Sequence, residues 1–195
     1  PKTSYFVYDD DGYLTYTIDA EGGVTYGKWN QDAGTKEYSL VYTADRYDVG
    51  SHTASNVPTL SQLNTWVSTQ VNKSQAIKTE YTYDFRDQVK TETTYSQLDS
   101  SGNGIASSKS TTHYVYDARG RLLKTVDPRA SSATDESYAS HITYDGLGRV
   151  LTTTDAANTV TTTVYDDANN KVIVTSQSGL VTTSTFNAGG ELISI

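Results

Sequence analysis

The sequence predicts an all-β chain, an antiparallel meander of short hairpins that forms a curved or spiralling sheet, part of a β-shell, with one short inserted helix near residues 59–72. Three observations predict it. The 195 residues hold 16 Tyr and 31 Thr, and aromatic and β-branched side chains suit the pleated surface of a strand. One short motif recurs six times. Each copy sets turn-forming Asp, Asn or Gly between two alternating runs.

Composition narrows the class further. Leu, Ile, Val and Phe together number 37, about 19% of the chain. That fraction alone points to disorder, but a net charge of -8 over this length is too small for a disordered chain, so the interior must be built partly from tyrosine. The 15 Lys and Arg are scattered and outnumbered by 23 Asp and Glu, which argues against a nucleic-acid partner. No apolar run approaches the ~20 residues of a membrane span. Cys and Met are both absent, which removes disulfides, thiolate metal sites and cysteine nucleophiles. With no initiator Met or signal peptide, the chain reads as a mature segment or an excised piece of a longer protein.

The repeat carries most of the information. Its copies begin at Tyr8-Asp9 with Gly12, Tyr83-Asp84 with Asp87, Tyr116-Asp117 with Gly120 and Arg121, Tyr144-Asp145 with Gly148 and Arg149, Tyr165-Asp166 with Asn169 and Asn170, and Phe186-Asn187 with Gly190. The aromatic positions are 75, 33, 28, 21 and 21 residues apart. In the fourth copy the run His141-Ile142-Thr143-Tyr144 reads as a strand. Asp145 can fold its carboxylate onto backbone N–H groups two residues on, and Gly148 supplies the positive φ that closes the turn. The chain returns as a second strand through Val150 to Thr154, so each unit is a hairpin. Asn169 and Asn170 stand where the glycine would be, in keeping with the tolerance of Asn for the left-handed region.

A second turn closes each unit, as at Asp155-Ala156-Ala157-Asn158 and at Gln177-Ser178-Gly179. Two strands and two turns in 21 residues make a continuous meander, and a lone hairpin is marginal in water, so successive units must stack. Alternation is imperfect. Val164 beside Tyr165, and the run Val172-Ile173-Val174, place apolar groups on both faces. The expected sheet carries tyrosines and β-branched residues on one face and a mixed Thr/Ser surface on the other.

The gap between the first two copies holds a helix. Thr59-Leu60-Ser61-Gln62 reads as a capping box after Pro58, and Leu60, Leu63, Val67 and Val71 share a helical face with Trp66 alongside. This places a helix near 59–72, within a helix-bearing insertion at about 27–78, covering a sheet edge or face. Residues 99–110 and 127–137 are polar, Gly/Ser-rich and read as loops. Regular repeats occupy about 79–195, and the whole reads as one repeat segment over 1–195.

The Tyr-Asp-x-x-Gly-Arg-Leu/Val pattern, with a trailing Asp such as Asp127 or Asp155, resembles the Rhs or YD-repeat family. The third and fourth copies match closely; the first, fifth and sixth are degenerate, and the second lacks its glycine. The resemblance implies a large secreted or surface protein in which many hairpins spiral into a hollow β-shell. In bacterial Rhs proteins and insecticidal toxin complexes such a shell encloses a toxic C-terminal domain, and in teneurins a related shell supports cell adhesion. Here 195 residues would supply part of a wall, ending at Ile195 soon after the sixth turn, which reads as a truncation. The family's self-cleaving element, near Asp-Pro-x-Gly-Leu, is not matched by Asp127-Pro128-Arg129-Ala130.

The inventory of side chains offers little for catalysis. The histidines are His52, His113 and His141, and the last two stand three residues before a repeat tyrosine; such repeated placement suggests structure rather than catalysis. The Asp after each tyrosine is explained by its turn. An EF-hand register over Asp9-Asp10-Asp11-Gly12 would put Val7 and Ile18 at ligand positions and fails, leaving an adventitious Ca²⁺ as the cofactor expectation. Arg121 and Arg149 should pair with a neighbouring repeat's Asp or stack on its Tyr. The sequence thus predicts a non-enzymatic wall segment of a secreted or cell-surface bacterial shell protein that encapsulates or scaffolds a toxin or effector. Its partners would be neighbouring repeats of the same or a longer chain, an enclosed toxin domain, and copies of itself through open strand edges. The alternative is an adhesin-like module that recognises carbohydrate or a cell surface through its tyrosines.

Overall fold

Turn chemistry and strand alternation produce, among the described residues, fourteen strands that hydrogen-bond in chain order as an antiparallel meander, as the sequence predicts. The computed structural model describes residues 3–53, 55–69 and 71–195. The chain divides into two compact units, residues 1–111 and 112–195, which are taken in turn.

The first unit contains β1 (Tyr5–Tyr8), β2 (Leu14–Ile18), β3 (Val24–Asn30), β4 (Thr35–Tyr42), the helix α1 (Leu60–Thr69), β5 (Ala76–Tyr83), β6 (Val89–Tyr95) and the start of β7 (Lys109–Tyr116). Cross-strand register builds its core. Tyr5, Ile18, Val24, Tyr42 and Ala76 lie opposite one another in a row over five strands, and all five are buried. Beside them runs a second row, Val7, Tyr16, Tyr26, Leu40, Lys78 and Tyr95. The opposite face carries Phe6, Thr17, Thr25, Val41 and Ile77.

Helix α1 covers the tyrosine face rather than an edge. Leu63 is fully buried and Trp66 is 5% exposed, packing its ring edge-on to Tyr42 at 5.8 Å. The capping box forms: the Gln62 side-chain oxygen accepts from the Thr59 N–H at 2.8 Å, and Thr59 Oγ1 accepts from the Gln62 N–H at 3.3 Å. The described helix closes at Thr69, short of the expected residue 72; Gln70 lies outside the described residues. The Asn72 N–H donates to Asp45 Oδ2 at 2.9 Å, and the Asn72 side chain caps the 3-10 turn Lys73–Gln75. A carboxylate 27 residues away thus holds the Asn72 N–H, and Val71 packs on the core. Strand β4, the end of β3 and the start of β5 also fall within the stretch 27–78 that the sequence assigns to an insertion.

The second unit holds the rest of β7, then β8 (Leu122–Val126), β9 (Ala139–Tyr144), β10 (Val150–Thr154), β11 (Val160–Asp166), β12 (Lys171–Thr175), β13 (Val181–Phe186) and β14 (Leu192–Ser194). Its buried apolar residues among those described are Val126 and its cross-strand partner Ala139. Elsewhere threonines face one another, as in the row Thr143, Thr152, Thr162 and Thr175, where the Thr143 and Thr152 hydroxyls lie 2.6 Å apart. With so little core, this unit relies on backbone ladders, cross-strand pairs and the turns.

Candidate functional site

The predicted motif residues form a repeated device at the hairpin turns. At Asp117 the carboxylate Oδ1 accepts from the N–H groups of Arg119 and Arg121, at 2.8 and 2.9 Å. The Gly120 N–H returns to the Asp117 carbonyl at 3.0 Å. Asp145 repeats this with Leu147, Arg149 and Gly148, Asp84 with Arg86, Gln88 and Asp87, and Asn187 with Gly189, Glu191 and Gly190. In the first copy Asp9 Oδ1 accepts from the Tyr13 N–H at 2.8 Å, and the Gly12 N–H donates to the Asp9 carbonyl.

The fourth turn residue needs positive φ, which completes a type I turn with a bulge. Gly12, Gly120, Gly148 and Gly190 supply it, at +81 to +88°. In the second copy Asp87 takes the same conformation at +59°, so the missing glycine is replaced by a residue that tolerates it. In the fifth, only Asn170 is left-handed, at +51°. Asn169 instead closes a 3-10 turn capped by Asp166, whose Oδ1 accepts the Asn169 N–H at 3.2 Å. The turns at the other strand ends reuse the device: Asp19, Asp99 and Asp155 each accept two backbone N–H groups.

The aromatic residue links one hairpin to the strand before it. The Tyr144 hydroxyl donates to the Leu122 carbonyl at 2.8 Å, Tyr165 to Val150 at 3.1 Å, and Tyr83 to Lys36 at 2.8 Å. Each acceptor lies at or next to the start of the preceding strand. Arginine adds a second link. Arg121 bridges Asp117 at 2.7 Å and lies 4.5 Å over the Tyr144 ring. Arg149 bridges Asp145 at 2.7 Å, reaches Asp167 at 2.6 and 3.1 Å, and lies 4.0 Å over Tyr165. Both expectations for arginine hold in the fourth copy, with Asp167 as the partner rather than the motif's Asp166. Tyr8 is 55% exposed, and Phe186 has no hydroxyl with which to make the link.

One copy escaped the sequence reading. Trp29-Asn30 with Gly34 occupies the corresponding hairpin end between β3 and β4, with Asn30 Oδ1 accepting from the Ala33 N–H and Gly34 at φ +69°. The Trp29 indole N–H donates to the Leu14 carbonyl at 2.9 Å, so it does the work of the tyrosine hydroxyl. Its spacing could have revealed it: Trp29 follows Tyr8 by 21 residues, the period of the last copies.

Electrostatics follow the hydrogen bonds. The Asp117 carboxyl is held below its ordinary range, chiefly by the Arg121 backbone N–H and further by its guanidinium. For Asp145, desolvation pushes upward and is outweighed by the Arg149 side chain and backbone. Asp167 is lowered first by Arg149. His141 Nε2 lies 2.9 Å from Glu136, which also holds Lys124 at 2.7 Å. His52 sits between the Tyr47 hydroxyl and the Asn56 carbonyl, and His113 stands opposite Val126. Among the described residues no three His, Asp or Glu side chains are grouped as metal ligands, and no helix is long and apolar enough to cross a membrane.

The fold and these turns define a class: an antiparallel β-meander of repeated aromatic-Asx hairpins, several of them tied to the preceding strand by the aromatic side chain. Compared with known families and curated proteins, the chain matches no family model and no curated relative.

Proposed function

We propose that the chain is a wall segment of a YD-repeat shell: a non-enzymatic scaffold within a secreted or cell-surface bacterial protein, whose strands enclose or support a toxin or effector. The observation that carries this reading is the link between hairpins. Tyr83, Tyr144 and Tyr165 use their hydroxyls on the preceding strand's backbone, and Arg121 and Arg149 lie on the next copy's ring. The motif therefore directs its chemistry at neighbouring repeats rather than at a ligand. The bonds of His52 and His141 likewise go to Tyr47, Asn56 and Glu136 rather than to a serine or threonine hydroxyl.

The test is size-exclusion chromatography with light scattering, followed by negative-stain electron microscopy of the same fractions. Strands β1 and β14 stand at the two ends of the strand order, and unpaired strand edges template further pairing. Curved assemblies that grow with concentration are expected. A monodisperse monomer at every concentration would overturn the wall reading in favour of an autonomous adhesin-like module.

A further inference from the structure

Within the first unit, helix α1, the tyrosine face of the sheet and the turn at Asp99 enclose a cleft of about 380 Å³, a size suited to a small molecule. Tyr26, Tyr38, Tyr42, Lys73, Lys78 and Asn103 are among the residues that line it. The chain carries a net charge of -8, yet among the described residues that line this cleft there is no Asp or Glu.

The polar groups are not equivalent. Lys78 is committed, bridging Glu80 at 2.7 Å with its ammonium 4.5 Å over the Tyr38 ring. Lys73 has no acidic partner among the described residues, and its stem lies along Gly102, where a β-carbon would stand 3.5 Å from its Cδ. Asn103 places its amide nitrogen on Asp99 Oδ2 at 3.0 Å, which leaves its side-chain oxygen to accept from a ligand hydroxyl. The Tyr26 and Tyr38 rings tilt together at 6.0 Å. Burial, with Tyr38 beside it, pushes the Tyr26 phenol up to about 12, and burial also raises Tyr42. These groups stay neutral and able to donate. Aromatic faces, phenol donors, a free amide oxygen and one uncompensated cation are the chemistry that recognises a sugar bearing a carboxylate.

We propose that this cleft binds a small acidic saccharide of the uronic-acid type, with the sugar ring against the tyrosines and its carboxylate on Lys73. The site does not depend on the wall reading, and its test leaves the association of strand edges aside. Isothermal titration calorimetry of the whole chain with glucuronate, glucose and sodium sulfate separates the contributions. Glucuronate should bind saturably, and glucose and sulfate should each bind about tenfold more weakly, the scale of one charge-assisted contact. Lys73→Gln should weaken glucuronate by a similar factor with the melting temperature unchanged, and Lys73→Arg should restore most of the affinity. No saturable heat with glucuronate would overturn the proposal. So would equal binding of glucose, equal binding of sulfate, which would mark a plain anion site, or indifference to Lys73→Gln.

Discussion

Arg149 lies over the Tyr165 ring, 4.0 Å from its centroid, while the same guanidinium bonds Asp145 in its own turn and Asp167 in the next. One planar group joins two hairpins by three contacts. Lysine offers a point charge and cannot reproduce the fork. Arg149→Lys should therefore lower the melting temperature, and Arg149→Ala should lower it further. Because the group is solvent-accessible, both losses should be smaller than that from emptying the fully buried Leu63 site by Leu63→Ala. A double-mutant cycle of Arg149 with Tyr165, read by thermal denaturation, should show positive coupling; strict additivity would mean the stacking contributes nothing.

The reach-back bond can be removed without disturbing the ring. Tyr144→Phe deletes the 2.8 Å bond to the Leu122 carbonyl and keeps the volume. The expected cost is about 0.5–1.5 kcal/mol, measured by urea denaturation. Trp29→Phe should lose the equivalent bond to Leu14 together with some packing. If Tyr144→Phe is neutral, water replaces the phenol at no cost and the link between hairpins is weaker than its geometry suggests.

Two turn substitutions should act in opposite directions. Gly148 has φ +88°, so Gly148→Val forces a β-branched residue into a left-handed conformation at roughly 1–3 kcal/mol. Asp87 already occupies that region at +59°, and Asp87→Gly should relieve strain and stabilise by up to about 1 kcal/mol. Chemical denaturation of both variants checks the pair. A destabilised Asp87→Gly would show that the Asp87 side chain has a role beyond its backbone.

Stability should fall at both extremes of pH. Asp117, Asp145 and Asp167 titrate below their ordinary value in the fold, and Asp135, bonded first by the Ser131 and then by the Ser137 N–H, is drawn down to about 2. A carboxylate with a depressed folded pKa stabilises the fold above its unfolded value, ~3.9. That contribution is lost as pH falls through the folded value. The melting temperature should hold between pH 5 and 7 and drop between about 4 and 2. Buried Tyr16 and Tyr42 and half-buried Tyr26 are raised instead, Tyr26 to about 12. Their contribution is present below the unfolded value, ~10, and is lost as pH rises through the folded one. Circular dichroism across both ranges, with tyrosinate absorbance at the alkaline end, tests each arm.

The parts of this structure that were legible in the sequence are the local ones. The Thr59–Gln62 box and the Asp145–Gly148 turn close within four residues, so residue type and spacing suffice to read them. The hold on Asn72 was not legible, because Asp45 acts on it from 27 residues away. Trp29 was missed for a different reason. An indole N–H replaces a phenol only because strand register sets it against the Leu14 carbonyl, and register is a property of paired strands. The tyrosine cleft likewise gathers Tyr26, Lys73 and Asn103 from distant stretches, and no spacing rule connects them.

The acceptors in the reach-back bonds are Leu14, Lys36, Leu122 and Val150, three apolar side chains and one charged. What they share is only the peptide carbonyl that every residue carries. The reach-back bond therefore holds a hairpin to its predecessor without reading the predecessor's side chains. Drift in sequence at the joint is therefore tolerated by the carbonyl bond, whereas the arginine contacts, such as those of Arg149 with Asp167 and Tyr165, depend on the residue types that meet there.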